Sequence, residues 1–398
     1  MSDVDESKVD RKAAAEPDAA PSPVLEGEAV QTGPTGGVRT PSGLRMDIRL
    51  GILVGVLIAL CVVGYVADPS GFLSEGNIST MLRLAAAIGV VSVGMTFVII
   101  SGGIDLSVGS MVALSSVWMT TVATQSYGPW VMVLCALAVG LGAGMVNGVL
   151  VAYGRVVPFI ATLAMYASAR GLAERLSNRQ TQNVDLTSAF LKFFRGDLLG
   201  IPTLIWMFAV VYVIGWVLLN RTTFGRRTFA IGGNAEAARL AGINVKRHTA
   251  YVYALAGLCC GIAALMIVAR TTSGASTNGQ FYELDAIAAV VIGGTLLIGG
   301  RGTIVGTVLG VLLLITLGNV FTLNNLTSSA QAVVQGVIIV AAVLLQTRLA
   351  AREGKSRMPR SLGGAGGAEV TGAPSGSQSG GSSVDGAPAG ARPGSPTT

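Results

Sequence analysis

Residues Met81–Ile100 read MLRLAAAIGVVSVGMTFVII, a stretch whose only charge, Arg83, sits near its start. A helix rises about 1.5 Å per residue, so a segment of this length covers about 30 Å, the hydrocarbon thickness of a bilayer. Similar apolar segments lie on both sides of it: Ile48–Ala67, Asp105–Thr124, Trp130–Tyr153, Val156–Ala173, Thr203–Leu219, Thr249–Ala269, Asp285–Gly299, Thr303–Leu323 and Ala330–Gln346. The expected fold class is therefore an all-α polytopic membrane protein of about ten transmembrane helices. The segment Asp285–Gly299 is short, about 15 residues or roughly 22 Å of helix. Either it begins earlier, near Phe281, or it is broken or re-entrant and lined by protein.

Composition agrees. The chain is 51% hydrophobic and 12% charged, half the charge of a soluble domain at about 25%. Its 54 glycines follow no collagen period, and many sit inside apolar segments, where membrane helices tolerate them. Cys61, Cys135, Cys259 and Cys260 lie in apolar stretches without a CxxC pair, as small packing residues do. One histidine, His248, stands beside Lys246 and Arg247 with no cluster of carboxylates or thiols. It reads as a membrane-interface residue, and no metal site or catalytic constellation is expected.

The chain divides into three parts. Residues 1–44 form a polar tail rich in Pro, Ala and acids, without the apolar core of a cleavable signal peptide, so the first apolar segment is expected to stay as an anchor. Residues 45–349 form the membrane domain, and 350–398 a Gly/Ser/Pro-rich tail that cannot bury a core. Gly354-Lys355-Ser356 resembles the end of a phosphate-binding loop, but Leu349 stands where that loop needs its first glycine.

Positive charge sets the expected orientation, with both termini cytoplasmic. The inner segments then hold Arg45, Arg49, Arg155, Arg221, Arg226, Arg227, Arg239, Lys246, Arg247, Arg301 and Arg348. The outer ones hold Arg83, Arg170, Arg175, Arg179, Lys192, Arg195 and Arg270, mostly in one long loop that also carries acids. Trp130 and Trp206 fall near the outer boundary, as interfacial aromatics do.

Glycines recur at helical spacing: Gly51/Gly55, Gly140/Gly144/Gly148, Gly257/Gly261 and Gly302/Gly306/Gly310. Such ridges let membrane helices approach closely. An internal echo pairs Gly102–Ser110 (GGIDLSVGS) with Gly299–Thr307 (GGRGTIVGT). It is either chance in a glycine-rich chain or the trace of duplicated halves, with the solute path between them.

Few ionisable groups interrupt the spans. Asp105 and Asp285 stand at expected helix starts, where a carboxylate offsets the helix dipole. The alternative is that Asp105, Ser107 and Asp285 line the translocation path or gate. No relay of acids and bases crosses mid-membrane, which argues against a secondary active transporter and places the energy source in another polypeptide. The attachment point is the charged loop 220–248, which contains RTTFGRRTFAIGGNAEAARLAGINVKR. Gly232-Gly233-Asn234 is turn chemistry, Asn234 caps a short helix Ala235–Ala241, and Gly242 stops it. Glu236 and Arg239 share one face of that helix.

Four segments, SGGIDLSVGSMVAL, NGVLVAYGRVVPFIATLAMYASARGLA, AIGGNAEAARLAGINV and YELDAIAAVVIGGTLLIGGRGTIVGTVLG, carry a resemblance to the membrane permeases of ribose-type ABC sugar importers, running from about Leu44 to Leu349. The resemblance implies a transport subunit of the plasma (inner) membrane, surrounded by lipid, that is not an enzyme. It implies an ABC ATPase subunit as partner, with ATP and Mg used by that partner and no cofactor on this chain. It also implies an extracytoplasmic sugar-binding protein and a second permease copy as a homodimer, with no nucleic acid. Gly233, Asn234, Glu236, Ala237, Ala238, Arg239 and Gly242 then belong to a helix that couples to the ATPase. Aromatics are scarce, at 6%, so a weak passage for a monosaccharide such as ribose or xylose is expected. A nucleoside or a furanosyl signal molecule is the alternative cargo.

Overall fold

The computed structural model describes residues 42–327 and, beyond them, residues 329–331, 333, 334, 336–338, 340 and 344. The expected tails 1–44 and 350–398 fall outside the described residues apart from Ser42–Leu44, and the expected last span, Ala330–Gln346, falls largely outside them.

The chain opens with α1 (Ser42–Ala67), α2 (Pro69–Phe72) and α3 (Glu75–Ile100). Next come α4 (Val108–Met119), α5 (Val122–Ser126), α6 (Pro129–Ala152) and α7 (Pro158–Ser177). A loop region holds β1 (Gln182–Asn183), α8 (Ala189–Arg195), β2 (Asp197–Leu198) and β3 (Ile201–Pro202). Then follow α9 (Thr203–Arg221), α10 (Thr223–Gly233), α11 (Ala235–Leu240), α12 (Val245–Thr271), β4 (Ser273–Gly274), α13 (Tyr282–Ile292) and α14 (Ile304–Leu323). Side-chain oxygens start several of these helices: Asp68 accepts from Gly71 N at 2.9 Å and Thr303 from Gly306 N at 3.0 Å, each satisfying an amide that the first turn leaves open.

Among the described residues six helices are long and apolar enough to cross a membrane: α1 from Leu50, α3, α6, α9, α12 and α14. The remaining expected spans depart from full length in different ways. In place of Asp105–Thr124, only the 12 residues of α4 are helical before a break at Thr120. In place of Asp285–Gly299, α13 starts earlier, behind a left-handed Phe281, and stops at Ile292. At about 18 Å and 16 Å, neither helix covers a hydrocarbon core alone. α7 has 20 residues, but Arg170, Glu174 and Arg175 occupy its second half.

α3 and α12 form the centre, with Phe97, Ile99, Ile100, Cys260, Ala263 and Val268 wholly buried. α12 lies on α6 through the expected glycine ridges. A β-carbon on Gly144 would come 2.8 Å from Gly257 Cα, and one on Gly148 would come 2.7 Å from Ala250 Cα. Backbones this close trade side-chain bulk for van der Waals contact, the usual adhesive between membrane helices. Gly306 and Gly310 of α14 lie against Gly293 and Ala289 in the same manner. Gly51 and Gly55 of α1 face open space instead.

The bundle has two distinct ends. At one, Asn77 of α3 exchanges amide bonds with Asn319 of α14, and Thr120 donates to Gln182 at 3.0 Å. There β1 pairs with β4, and Arg83 approaches Asp197 at 3.9 Å. At the other end, the close of α3 meets α10 and the loop before α14, where Gly300 N donates to Ile100 O at 2.8 Å.

Candidate functional site

At this second end the loop 220–248 builds two helices rather than one. Thr222 Oγ1 caps α10 by accepting from Phe224 N and Gly225 N, at 3.2 and 3.4 Å. Asn234, extended at φ −162°, separates α10 from α11, and its Oδ1 accepts from Ala237 N at 2.9 Å. Gly242, left-handed at φ +82°, ends α11, with Ile243 N bonded to Ala238 O at 3.0 Å. This is the glycine-closed helix end that an L side chain resists.

α11 therefore stands as a short, doubly capped block. Ala238 is its buried anchor, while Glu236, Ala237 and Arg239 face outward. Arg239 Nε donates to Glu236 at 3.0 Å, and Nη2 makes a second bond to the same carboxylate. Those bonds, with the charge behind them, hold the Glu236 carboxyl below its ordinary value. Leu240, not singled out by sequence, is 76% exposed on the same block.

The expected turn at Gly232-Gly233 is instead the last turn of α10. These glycines serve close approach, because a β-carbon on Gly232 would overlap Ile100 O and lie 2.7 Å from Gly300 N. Gly299 in turn faces Gly102, with its β-position 3.0 Å from Gly102 Cα. Both have left-handed backbones, at φ +87° and +86°. The two copies of the sequence echo thus meet each other, and the chain leading into α11 is wedged beside them. His248, on the first turn of α12, is buried, bonds Thr228 Oγ1 through Nε2 at 2.9 Å, and packs on Phe224 at 4.5 Å. It ties α10 to α12.

Asp105 and Ser107 sit just inside this end, in the loop from α3 into α4, and both are fully buried. Ser107 donates to Asp105 Oδ1 through its amide at 2.8 Å and its hydroxyl at 2.5 Å. The carboxylate thus closes the turn that precedes α4, two residues before the N-cap Ser107, and bonds none of the open amides of the first helical turn. Asn147 of α6 donates to Ser107 Oγ at 2.8 Å. Asp105 Oδ2, Asn147 Oδ1 and the Tyr253 hydroxyl are buried with no partner, so polar capacity remains here. Sequence reading passed over Asn147, although it is the one amide in the whole of α6, and a polar side chain within a span is a functional cue.

Beyond this cluster α4 and its C-terminal end carry hydroxyl side chains on several faces, three of which return to the helix's own carbonyls. Ser110, Ser115, Ser116 and Thr120 are all fully buried. Asp285 does not join Asp105 and Ser107. It lies toward the opposite end, lining a cleft of about 390 Å³ with Asn77, Thr80, Asn319 and Phe321. Among the described residues no three His, Cys, Asp or Glu side chains gather as metal ligands.

Residues 77–343 match the family described as branched-chain amino acid transport system / permease component. The chain is 43% identical over 304 residues to the ribose import permease protein RbsC of Bacillus subtilis (strain 168), which covers 76% of this chain and 94% of that protein. It is 40% identical over 302 residues to the ribose import permease protein RbsC of Escherichia coli (strain K12), covering 74% and 92%. It is 36% identical over 293 residues to the L-arabinose transport system permease protein AraH of Escherichia coli (strain K12), covering 74% and 88%. No solved structure matches the chain.

Proposed function

The chain belongs to the branched-chain amino acid transport system / permease component family, and from that membership we propose that it is the multi-pass membrane permease of an ABC importer for a monosaccharide. The observation that carries this reading is the likeness to ribose import permeases along nearly their whole length. The arabinose relative extends it to another pentose. The chain is a transport component, and ATP hydrolysis with its Mg belongs to a separate ATPase.

The end bearing α11 faces the cytoplasm. Arg155, Arg221, Arg226, Arg227, Lys246, Arg247 and Arg301 sit in its segments, in keeping with the charge rule for inner loops, and both termini lie on that side. About ten passes result when α4, α7, α13 and the last apolar segment are counted with the six full-length helices. Asn234, Glu236, Ala237, Arg239 and Leu240 form the surface that docks on the ATPase, with Ala238, Gly233 and Gly242 giving the block its shape. The Asp105–Ser107–Asn147 cluster closes the cytoplasmic end of a path along α4, and Asp285 belongs to the outer rim. A second copy of the chain completes the importer, and an extracytoplasmic binding protein supplies selectivity.

Gentle extraction of the tagged chain from native membranes, with mass spectrometry of what accompanies it, tests this. Recovery of an ATPase with a phosphate-binding loop and of a binding protein that holds a pentose is the expected result. A chain recovered alone that transports in vesicles without ATP would sink the proposal in favour of a secondary carrier.

A further inference from the structure

Between α8 and α9 the chain makes a tight hairpin whose base is fastened and whose tip is bare. Asp197–Leu198 (β2) pairs with Ile201–Pro202 (β3) across Leu199 and Gly200. The base is tied to the start of α9 and to α3. Thr203 donates to Gly196 O through its amide at 2.9 Å and its hydroxyl at 2.7 Å, and Asp197 lies 3.9 Å from Arg83. Trp206 Nε1 donates to Leu198 O at 3.1 Å. At the tip Leu198 is 57% exposed and Leu199 85%.

Leu199 is costly there in two ways. The turn holds a left-handed backbone at both central residues, φ +57° at Leu199 and +75° at Gly200, a conformation that asparagine or glycine adopts with less strain. A bare leucine also leaves apolar surface uncovered in water. Strain and exposure kept together at one residue mark a place to look for function.

The neighbouring surface identifies what covers it. Trp206, Val210, Val213, Ile214 and Val217 are all exposed and recur at helical spacing, so they form one stripe along α9. On a span of a membrane protein such a stripe faces lipid. It runs only about 17 Å, short of a hydrocarbon core of about 30 Å. Trp206 heads the stripe and holds the hairpin, so Leu198 and Leu199 stand where the stripe stops.

We propose that the 197–202 hairpin is an interfacial foot that prolongs the lipid-facing surface of α9. Leu198 and Leu199 enter the leaflet at that end of the bundle, beside Trp206 at the headgroup boundary, and fix the depth of the span. The inference rests on the membrane location of the chain, and not on its cargo or on which side of the membrane this end faces.

The test places a nitroxide on Leu199→Cys in the full chain, reconstituted in lipid nanodiscs. Cys61 and Cys135 are changed to serine, and Cys259 and Cys260 stay because they are buried. Val210→Cys on the stripe is the lipid reference, and Gln180→Cys in the exposed polar loop after α7 is the water reference. Molecular oxygen concentrates in the bilayer and a nickel chelate stays in water, so the ratio of their effects on spin relaxation reads the surroundings of each label. The ratio at Leu199 should approach that at Val210 and exceed that at Gln180 several-fold. Leu198→Cys, outside the left-handed turn, should give the same result and serves if Leu199→Cys folds poorly. A ratio equal to that at Gln180 overturns the foot and leaves the tip in water, open to a soluble partner. A label that neither reagent reaches also overturns it and assigns the tip to a second copy of the chain.

Discussion

Gly232 and Gly233 are neighbours in sequence and should respond oppositely to the same substitution. A β-carbon at Gly232 would overlap Ile100 O and stand 2.7 Å from Gly300 N, both backbone atoms with no rotamer to yield. Relief requires α10 to retreat by on the order of 1 Å, an overpacking strain of about 1–3 kcal/mol. The retreat also disturbs the Gly300 N to Ile100 O bond at 2.8 Å, a further loss of about 0.5–1.5 kcal/mol. Gly232→Ala should therefore cost about 2–4 kcal/mol and shift α11 away from the starts of α4 and α14. At Gly233 a β-carbon meets nothing within 4 Å, and in a helix alanine is preferred to glycine by roughly 0.5–1 kcal/mol. Thermal unfolding in detergent and ATP-driven sugar uptake in proteoliposomes read both effects. A lower Tm with impaired uptake is expected for Gly232→Ala, and a slightly raised Tm with normal uptake for Gly233→Ala. Equal behaviour of the two variants would refute the close-approach argument.

Asn234→Ala removes the cap on Ala237 N and should cost about 1 kcal/mol, seen as faster amide exchange across 235–240 while the spans keep their protection. Glu236→Arg, which reverses the charge on the outward face of α11, should cut sugar uptake with Tm unchanged, and undiminished uptake counts against the docking role. The Glu236 carboxyl is held below its ordinary value by Arg239. The stabilisation of α11 by that pair is thus complete above the ordinary carboxylate range and disappears as pH falls through the lowered value. Amide exchange in α11, corrected for intrinsic rates, should be flat at neutral pH and rise only in acid, with Glu236→Gln abolishing the rise. Thr228→Val leaves the His248 ring buried without its 2.9 Å partner and should lower stability by about 1–2 kcal/mol, measured as a fall in Tm.

What the sequence discloses about this fold is what depends on local chemistry. Helix length against bilayer thickness marks the full spans, and Asn234 with Gly242 brackets α11 to within a residue, because a cap is a contact among near neighbours. The interruptions in α4 and α13 are different. The stretch IGGTLLIGG from Ile292 to Gly300 carries no charge, so the shortness of the segment hinted at an early start or a break without locating it, and helix ends at Ile292 where Gly293 meets Gly306 and Gly294 turns left-handed. That break depends on a partner helix. The acids of α13 show the same limit. Glu283 and Asp285 are two positions apart and point to different sides of a helix, so which one turns inward follows from where the helix starts. Sequence reading placed Asp285 at a helix start, with the path as the alternative, and passed over Glu283, whereas the start behind Phe281 buries Glu283 against α4 and leaves Asp285 at a separate cleft.

Under the proposed docking role of α11, the interrupted helices give a short exposed block a route to the buried start of α4. A helix that spans the bilayer is held along its length by packing on both sides, as α3 and α12 are, and resists local displacement. α4 and α13 end early, and the turns beside them, at Gly102 and Gly299, meet at the close of α10. A push on α11 thus reaches the entrance of α4 through backbone contact, with no side chain between to absorb it by changing rotamer. At that entrance Asp105, Ser107 and Asn147 are joined by short hydrogen bonds while three neighbouring polar atoms remain unmatched. Such an arrangement has capacity for a second set of partners, and a two-state element of this kind is what conformational coupling requires. On this reading the glycines are the transmission and the polar cluster is the latch.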